Sequence, residues 1–125
     1  MKKAIKTDKA PAPIGPYNQA IMAGNTLFVS GQIPLNPTSG ELVKGDVKEQ
    51  TQRVMENLKA ILTEAGLDFS HVVKCSIFIS DMKDFPKINE VYGGYFTETP
   101  PARETVQVAG LPLGVDVEIS CIAIA

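Results

Sequence analysis

One long amphipathic helix in the middle of the chain constrains its fold more than any other feature. From position 47 onward the apolar residues recur at helical spacing, as Val47, Val54, Met55, Leu58, Ile61, Leu62 and Ala65. Asp46 can cap the first turn, Glu49 follows three residues later as in a capping box, and Gly66 is placed to end the helix. Such a helix buries one face only, so the rest of the chain must supply the layer that covers it.

That layer is expected to be a sheet, because strand-like segments lie on both sides of the helix. Gly24-Asn25 tolerate positive φ and predict a tight hairpin between two of these segments. A second helix is predicted from Asp84 to Phe96, with its second half distorted by Gly93-Gly94, since each Gly costs a helix about 1 kcal/mol relative to Ala. The strand segments are Tyr17 to Ala23, Thr26 to Ser30, Val72 to Ser80, Glu104 to Ala109, Val115 to Ala125 and, less clearly, Ala4 to Thr7.

The order of elements is therefore β-β-β-α-β-α-β-β, which predicts an α+β fold. Strands joined by hairpins at both ends of the chain favour a sandwich in which a mixed, largely antiparallel sheet carries two helices on one face. The other sheet face is expected to combine apolar and polar side chains, which suits a surface partly buried against other copies of the chain. Its members are Val72, Phe78, Ile122 and Ile124 together with Lys74, Ser76, Glu118 and Ser120.

Composition narrows the class of protein. A chain of 125 residues suits a single domain spanning 1–125. The net charge is −2 and only two residues are arginine, which argues against a protein that binds nucleic acid or a membrane surface. Cys75 and Cys121 lie in separate apolar runs and His71 is the only histidine, so we expect free buried thiols and no metal site. With no signal-like or membrane-spanning run, the chain is expected to be cytoplasmic.

Two charged residues near the C-terminus are candidates for chemistry. Arg103 follows the rigid turn Pro100-Pro101-Ala102, and its guanidinium fork matches a carboxylate in two hydrogen bonds. Taken alone, this segment fits an ordinary surface or ion-pairing arginine better than a ligand site. Glu118 lies on the strand face opposite Val117 and Ile119, where a carboxylate can hold or deprotonate a water. It is also interpretable as a solvent-side residue of a half-exposed strand.

A third candidate group surrounds the first hairpin. Ser30-Gly31 ends a strand where a ligand can approach the backbone, and Tyr17 follows Gly15-Pro16 at a loop edge. Turn geometry and core packing explain the same residues without a ligand. Asn89 on the second helix is a weaker candidate. No Ser-His-Asp set and no phosphate-binding glycine loop is present in the sequence.

Taken together, these segments resemble the RidA (YjgF) family of reactive-intermediate deaminases. The resemblance covers nearly the whole chain in order, and the combination of Pro101-Ala102-Arg103 with the later Val117-Glu118-Ile119 is specific for the family. Its other segments are 12–17 (APIGPY), 27–34 (LFVSGQIP) and 52–66. The resemblance implies a chorismate-mutase-like α+β fold and a homotrimer with ligand pockets between subunits. It also implies hydrolysis of enamines and imines such as 2-aminoacrylate and 2-iminobutyrate to 2-keto acids and ammonia, with no metal or organic cofactor.

The resemblance also implies roles for individual residues. Arg103 would clamp the substrate carboxylate and Glu118 would position and activate the water. The pocket would be lined by Tyr17, Ser30, Gly31, Asn89 and Thr105. Such a site needs orientation and a placed water more than a covalent nucleophile, because an imine carbon is already electrophilic.

Two positions depart from the family pattern. Many members carry a small residue and then Cys after the arginine, where this chain has Glu104 and Thr105. Thr105 excludes any mechanism that requires a thiol there, and Glu104 is expected to alternate to the other side of the strand. A trimer that binds keto or amino acids without turnover is the alternative function. A ribonuclease activity ranks lower, since the chain is acidic overall and shows no aromatic stacking platform.

Overall fold

The computed structural model describes residues 1–125 and contains the predicted order of eight main elements. The two helices are α1 (Val47–Glu64) and α2 (Phe85–Gly93). The strands are β1 (Lys2–Ile5), β2 (Ala20–Ala23), β3 (Thr26–Gln32), β4 (Val72–Ile79), β5 (Ala102–Gln107) and β6 (Val117–Ile124). The first strand, which the sequence indicated only weakly, begins two residues earlier than expected. No helix has the length and apolar composition that crossing a membrane requires.

All six strands form one sheet in the order β1-β2-β3-β6-β4-β5. Only β4 and β5 run parallel, joined across α2, and every other neighbouring pair is antiparallel. The predicted mixed and mostly antiparallel sheet is therefore confirmed. The predicted C-terminal hairpin is wrong, because β6 pairs with β3 and β4 rather than with β5. That central place lets β6 bury one full row of side chains, Val117, Ile119, Cys121 and Ala123, in the core.

Local signals explain where α1 begins and ends. The Asp46 carboxylate accepts hydrogen bonds from the backbone N–H groups of Lys48 and Glu49, so it caps the first turn. At the other end Gly66 adopts a φ of +77°, a conformation that favours glycine, directly after the C-cap residue Ala65. The predicted apolar stripe of the helix packs on the sheet.

The second helix is shorter than the sequence pattern indicated. It ends at Gly93, and Gly94 forms its C-cap, because two glycines in succession weaken the helical backbone. Tyr95 and Phe96, which fall within the predicted range of this helix, instead follow it outside the helix. Their rings pack edge-on against the ring of Phe69. The helix therefore presents a short buried face, formed by Ile88 and Tyr92.

The two faces of the sheet differ in character. Both helices cover one face, here called the helix face, and the core lies between them. The other side, here called the open face, carries the predicted mixture with one correction. Val72 was expected there, but an irregularity between Val72 and Lys74 turns it to the helix face, where it is buried. The open face carries Phe28, Lys74, Ser76, Phe78, Glu118, Ser120, Ile122 and Ile124.

Candidate functional site

A pocket of about 370 Å³ opens at one end of the open face. It brings together four of the residues proposed from the sequence, Tyr17, Ser30, Gly31 and Glu118, and completes its wall with Ile14, Ile33 and Pro112. We call it the Glu118 pocket. Three of the seven residues that line the pocket are apolar, and the Glu118 carboxylate is its only charged group. The arrangement suits a small ligand that meets one acidic group among apolar and uncharged polar residues.

The position of the Glu118 carboxylate depends on the absence of a side chain at Gly31, which lies opposite it. A Cβ added at Gly31 would overlap the Glu118 carboxylate, so any larger residue at position 31 would displace that side chain. The backbone register shifts between Val29 and Gln32, and this irregularity brings Gly31 close to β6. Burial raises the pKa of Glu118 above its ordinary value. A half-buried carboxyl of this kind is suited to exchanging a proton with a water.

The loop that carries Tyr17 is held in place by polar contacts. The Ser30 hydroxyl donates to the backbone carbonyl of Asn18 at 2.6 Å, so it braces the loop. The side chain of Gln19 is buried and donates to three backbone carbonyls, those of Thr7, Ala10 and Pro11. These bonds leave the Tyr17 ring half-exposed at the rim of the Glu118 pocket.

Arg103 lies on the helix face, at the edge strand β5, and three residues of α2 surround its guanidinium. Its Nη1 donates to Asn89 Oδ1 at 2.6 Å. Its Cζ lies 5.5 Å from the ring centroid of Phe85 and 5.1 Å from that of Tyr92. Residues 85, 89 and 92 share one face of the helix because they are spaced by four and three positions. We call this group of Phe85, Asn89 and Tyr92 the arginine cradle.

The two departures from the family pattern have different surroundings. Glu104 points to the open face, as expected from alternation, and contacts Ser76 and Lys74. The hydrogen bond from Ser76 and the ammonium of Lys74 lower the pKa of Glu104, so it stays ionised on the side away from Arg103. Thr105 lies on the helix face, but its hydroxyl is buried with no hydrogen-bond partner. A contact from Thr105 to a ligand would therefore have to come from its backbone.

The structure does not bring Arg103 and Glu118 together within one chain. Arg103 pairs with Cys75, which pairs with Cys121, whereas Glu118 pairs with Phe78. The two residues are thus two strands and three register positions apart, which places their Cα atoms about 14 Å from each other. They also point to opposite faces of the sheet. One small ligand cannot contact both side chains of a single copy.

Two members of the arginine cradle, Phe85 and Tyr92, were not among the residues proposed from the sequence. Both lie within the predicted second helix, and only their spacing relative to Asn89 could have indicated a shared role. Cys75 and Cys121 are free and buried, as expected. They lie directly opposite each other on β4 and β6. No group of three or more His, Cys, Asp or Glu side chains is arranged to hold a metal ion.

Comparison with known proteins gives consistent matches over almost the full chain. The family model described as Endoribonuclease L-PSP matches residues 7–125. The chain is 48% identical to the 2-iminobutanoate/2-iminopropanoate deaminase of Mus musculus, over 99% of this chain and 92% of the mouse protein.

Solved structures also match the chain over nearly its full length. The structure of RidA from an Antarctic Psychrobacter species superposes with a TM-score of 0.95 at 45% identity, covering 98% of this chain and 99% of that one. The structure of Escherichia coli TdcF with bound serine gives the same TM-score of 0.95 and the same 45% identity, covering 98% of both chains. The fold is therefore shared with proteins that are close in sequence.

Proposed function

The chain belongs to the RidA family, and on that premise we propose that it hydrolyses imines of 2-keto acids, formed from enamines such as 2-aminoacrylate, to the keto acid and ammonia. The observation that carries this proposal is the set of contacts that the Arg103 side chain makes. Its guanidinium is fixed by the arginine cradle, makes no salt bridge with any carboxylate of the chain, and therefore keeps both charge and donors for a carboxylate ligand.

The proposed reaction needs few groups. The substrate carboxylate binds Arg103, which orients the neighbouring C=N carbon. Glu118 accepts a proton from a water as the water oxygen bonds to that carbon, and returns this proton to the nitrogen to give a carbinolamine. As the carbinolamine collapses, Glu118 transfers the hydroxyl proton to the nitrogen, the C–N bond breaks, and ammonia and the keto acid are released. The raised pKa of Glu118 supports this role, because a carboxyl of higher pKa is the better proton acceptor.

Joint action of Arg103 and Glu118 on one substrate would involve a second copy of the chain. Since one copy presents them on opposite faces about 14 Å apart, we propose that the substrate binds between the Arg103 side of one copy and the Glu118 pocket of the next. A closed ring of three copies repeats this contact without leaving an unpaired surface. The apolar side chains of the open face, including the half-exposed Phe28, would be buried in such a homotrimer.

A second candidate is a trimer that binds amino or keto acids without turnover. The Escherichia coli TdcF structure contains bound serine, so a protein similar to this chain binds a small amino acid. The same Arg103 contact to a carboxylate serves both candidates. They differ in Glu118, which a binding protein does not need as a proton acceptor.

A coupled assay tests the proposal. A pyridoxal-phosphate serine dehydratase would supply 2-aminoacrylate, and added protein should accelerate release of pyruvate and ammonia. Arg103→Ala should abolish this acceleration, whereas Arg53→Ala on α1 serves as the matched control and should retain it. Equal acceleration by Arg103→Ala would disprove the proposed role. Calorimetric binding of a keto acid without any effect on the rate would favour the binding protein.

A further inference from the structure

The contacts of Arg103 are unusual for an arginine that lies beside the core. An arginine at such a place is commonly held by a carboxylate, which fixes the guanidinium and also neutralises it. The only hydrogen bond that the Arg103 guanidinium makes within the chain goes to the neutral amide of Asn89. Its other two contacts are with the aromatic rings of Phe85 and Tyr92. The nearest acidic residue in sequence, Glu104, is bound to Lys74 and Ser76 on the other side of the sheet.

Aromatic rings hold a cation in a different way from a carboxylate. The negative face of the ring attracts the guanidinium without accepting its N–H hydrogens. Arginine has five N–H donors, and Asn89 accepts from one of them. The donors on the remaining edge stay free, and the positive charge is not compensated. The side chain, which would otherwise sample many rotamers, is restrained by the two rings before any ligand arrives.

We propose that Phe85 and Tyr92 are positioning residues that replace a counter-ion for Arg103, so that the guanidinium is fixed in place but left charged for an anionic ligand. The identity of that ligand as a keto acid or its imine rests on the proposed function, whereas the restraint of the arginine does not. Both rings are supplied by α2, so the short helix serves to preorganise the anion site as well as to cover the core.

The first test measures the arginine itself. Because the chain contains only Arg53 and Arg103, protein labelled with ¹⁵N-arginine gives two Nε–Hε resonances that single substitutions assign. In the wild-type protein the Arg103 resonance should show a ring-current shift and low mobility. Phe85→Leu and Tyr92→Leu should each remove part of the shift and increase the mobility. The Arg53 resonance, whose Nε donates to Asn57, is the internal reference.

The second test measures anion binding by calorimetry with 2-oxobutanoate, a stable keto acid. Loss of one ring should raise the Kd about fivefold, which corresponds to a typical cation–π contact. Tyr92→Phe keeps the ring, so it should bind the keto acid as tightly as the wild-type protein does. Phe69→Leu is the matched control, because Phe69 packs on Tyr95 and Phe96 but has no contact with Arg103. It removes a partly buried ring of the same size from the same region.

A series of fluorinated phenylalanines at position 85 separates charge from shape. Fluorine withdraws electrons from the ring face while changing its size little, so the Kd should rise stepwise with the number of fluorines. A Kd that is constant along the series, or an Arg103 resonance that the Leu variants leave unchanged, would show that the rings only fill space and would overturn the inference. If wild-type protein binds the keto acid but does not accelerate imine hydrolysis, the proposed function fails and the restraint of Arg103 stands.

Discussion

The guanidinium of Arg103 and the carboxylate of Glu118 point to opposite faces of one sheet, although β4 alone separates their strands. The helix face holds the arginine between aromatic rings, and the open face holds the carboxylate against a glycine. Each half of the proposed site is held by contacts within one copy, but the two halves of the same copy cannot contact one small ligand together.

Complementation between two inactive variants should restore activity. Arg103→Ala and Glu118→Ala should each be inactive alone, because every site in the assembly then lacks one group. In mixed trimers formed by co-expression or refolding, random assembly should rebuild about a quarter of the sites, since each site takes one group from each of two copies. The measurement is the dehydratase-coupled rate of the mixture, with each variant refolded separately as the control. No recovery in trimers shown to be mixed would contradict a site shared between copies.

Gly31→Ala should lower kcat/KM at least tenfold while the protein stays folded. The added Cβ overlaps the Glu118 carboxylate, and the side chain must turn away from the pocket. We estimate the tenfold loss as that of a misplaced proton acceptor, a group that contributes about 10²-fold or more to a rate. Steady-state kinetics and circular dichroism measure the two effects.

The control for this substitution is Gly93→Ala on α2. A Cβ at that position meets nothing within 4 Å, so the change should raise the free energy of unfolding by about 0.5–1 kcal/mol through helix propensity. A Gly31→Ala protein with wild-type kinetics would refute the importance of the close approach to Glu118.

The rate should depend on pH through Glu118. Burial holds the pKa of this carboxyl above its ordinary value of 4.5, so kcat/KM should fall on the acid side with a midpoint above 4.5. Glu118→Gln should have a low rate and lack this limb of the profile. A wild-type profile that stays flat down to pH 4.5 would contradict Glu118 as the base.

The raised pKa of Glu118 also makes the free energy of unfolding depend on pH, in the opposite direction to the rate. Because the folded-state pKa lies above the unfolded one, the protonated carboxyl contributes stability at low pH, and this contribution is lost as the pH rises through the folded-state value. Denaturant titrations across this range should therefore show a smaller loss of stability for Glu118→Gln than for the wild type. An identical pH dependence of the two proteins would argue against the raised pKa.

Two tyrosines near the end of α2 should respond in opposite ways to removal of the hydroxyl. The Tyr92 hydroxyl is buried with only the Cys75 thiol, a weak hydrogen-bonding group, beside it, so Tyr92→Phe should raise the free energy of unfolding by up to about 1 kcal/mol. The Tyr95 hydroxyl donates to Glu56 at 2.7 Å, so Tyr95→Phe should lower it by about 1 kcal/mol. Chemical denaturation of both variants measures the difference. Destabilisation by Tyr92→Phe would indicate that its hydroxyl has a bonded partner in solution.

Most of the fold was predictable from the sequence, since it depends on local signals. Each of these signals acts over a few residues. They are the apolar stripe and the caps of α1, the turn at Gly24-Asn25, and the low helix propensity of Gly93-Gly94. The site was predictable in part, because Tyr17, Ser30, Gly31 and Glu118 belong to recognisable segments that the structure collects in one pocket. The pairing of β6 was not predictable, since strand order depends on which long-range contacts bury the most apolar surface.

The sequence by itself determined the alternation that puts Glu104 and Arg103 on different sides of β5, because successive side chains of a strand must diverge. Only the tertiary structure decided what lies on each side. The parallel crossover through α2 places two aromatic rings and an amide around Arg103, and the insertion of β6 between β3 and β4 brings Glu118 beside Gly31. Those neighbours come from distant parts of the chain, and only packing of the whole sheet brings them into contact.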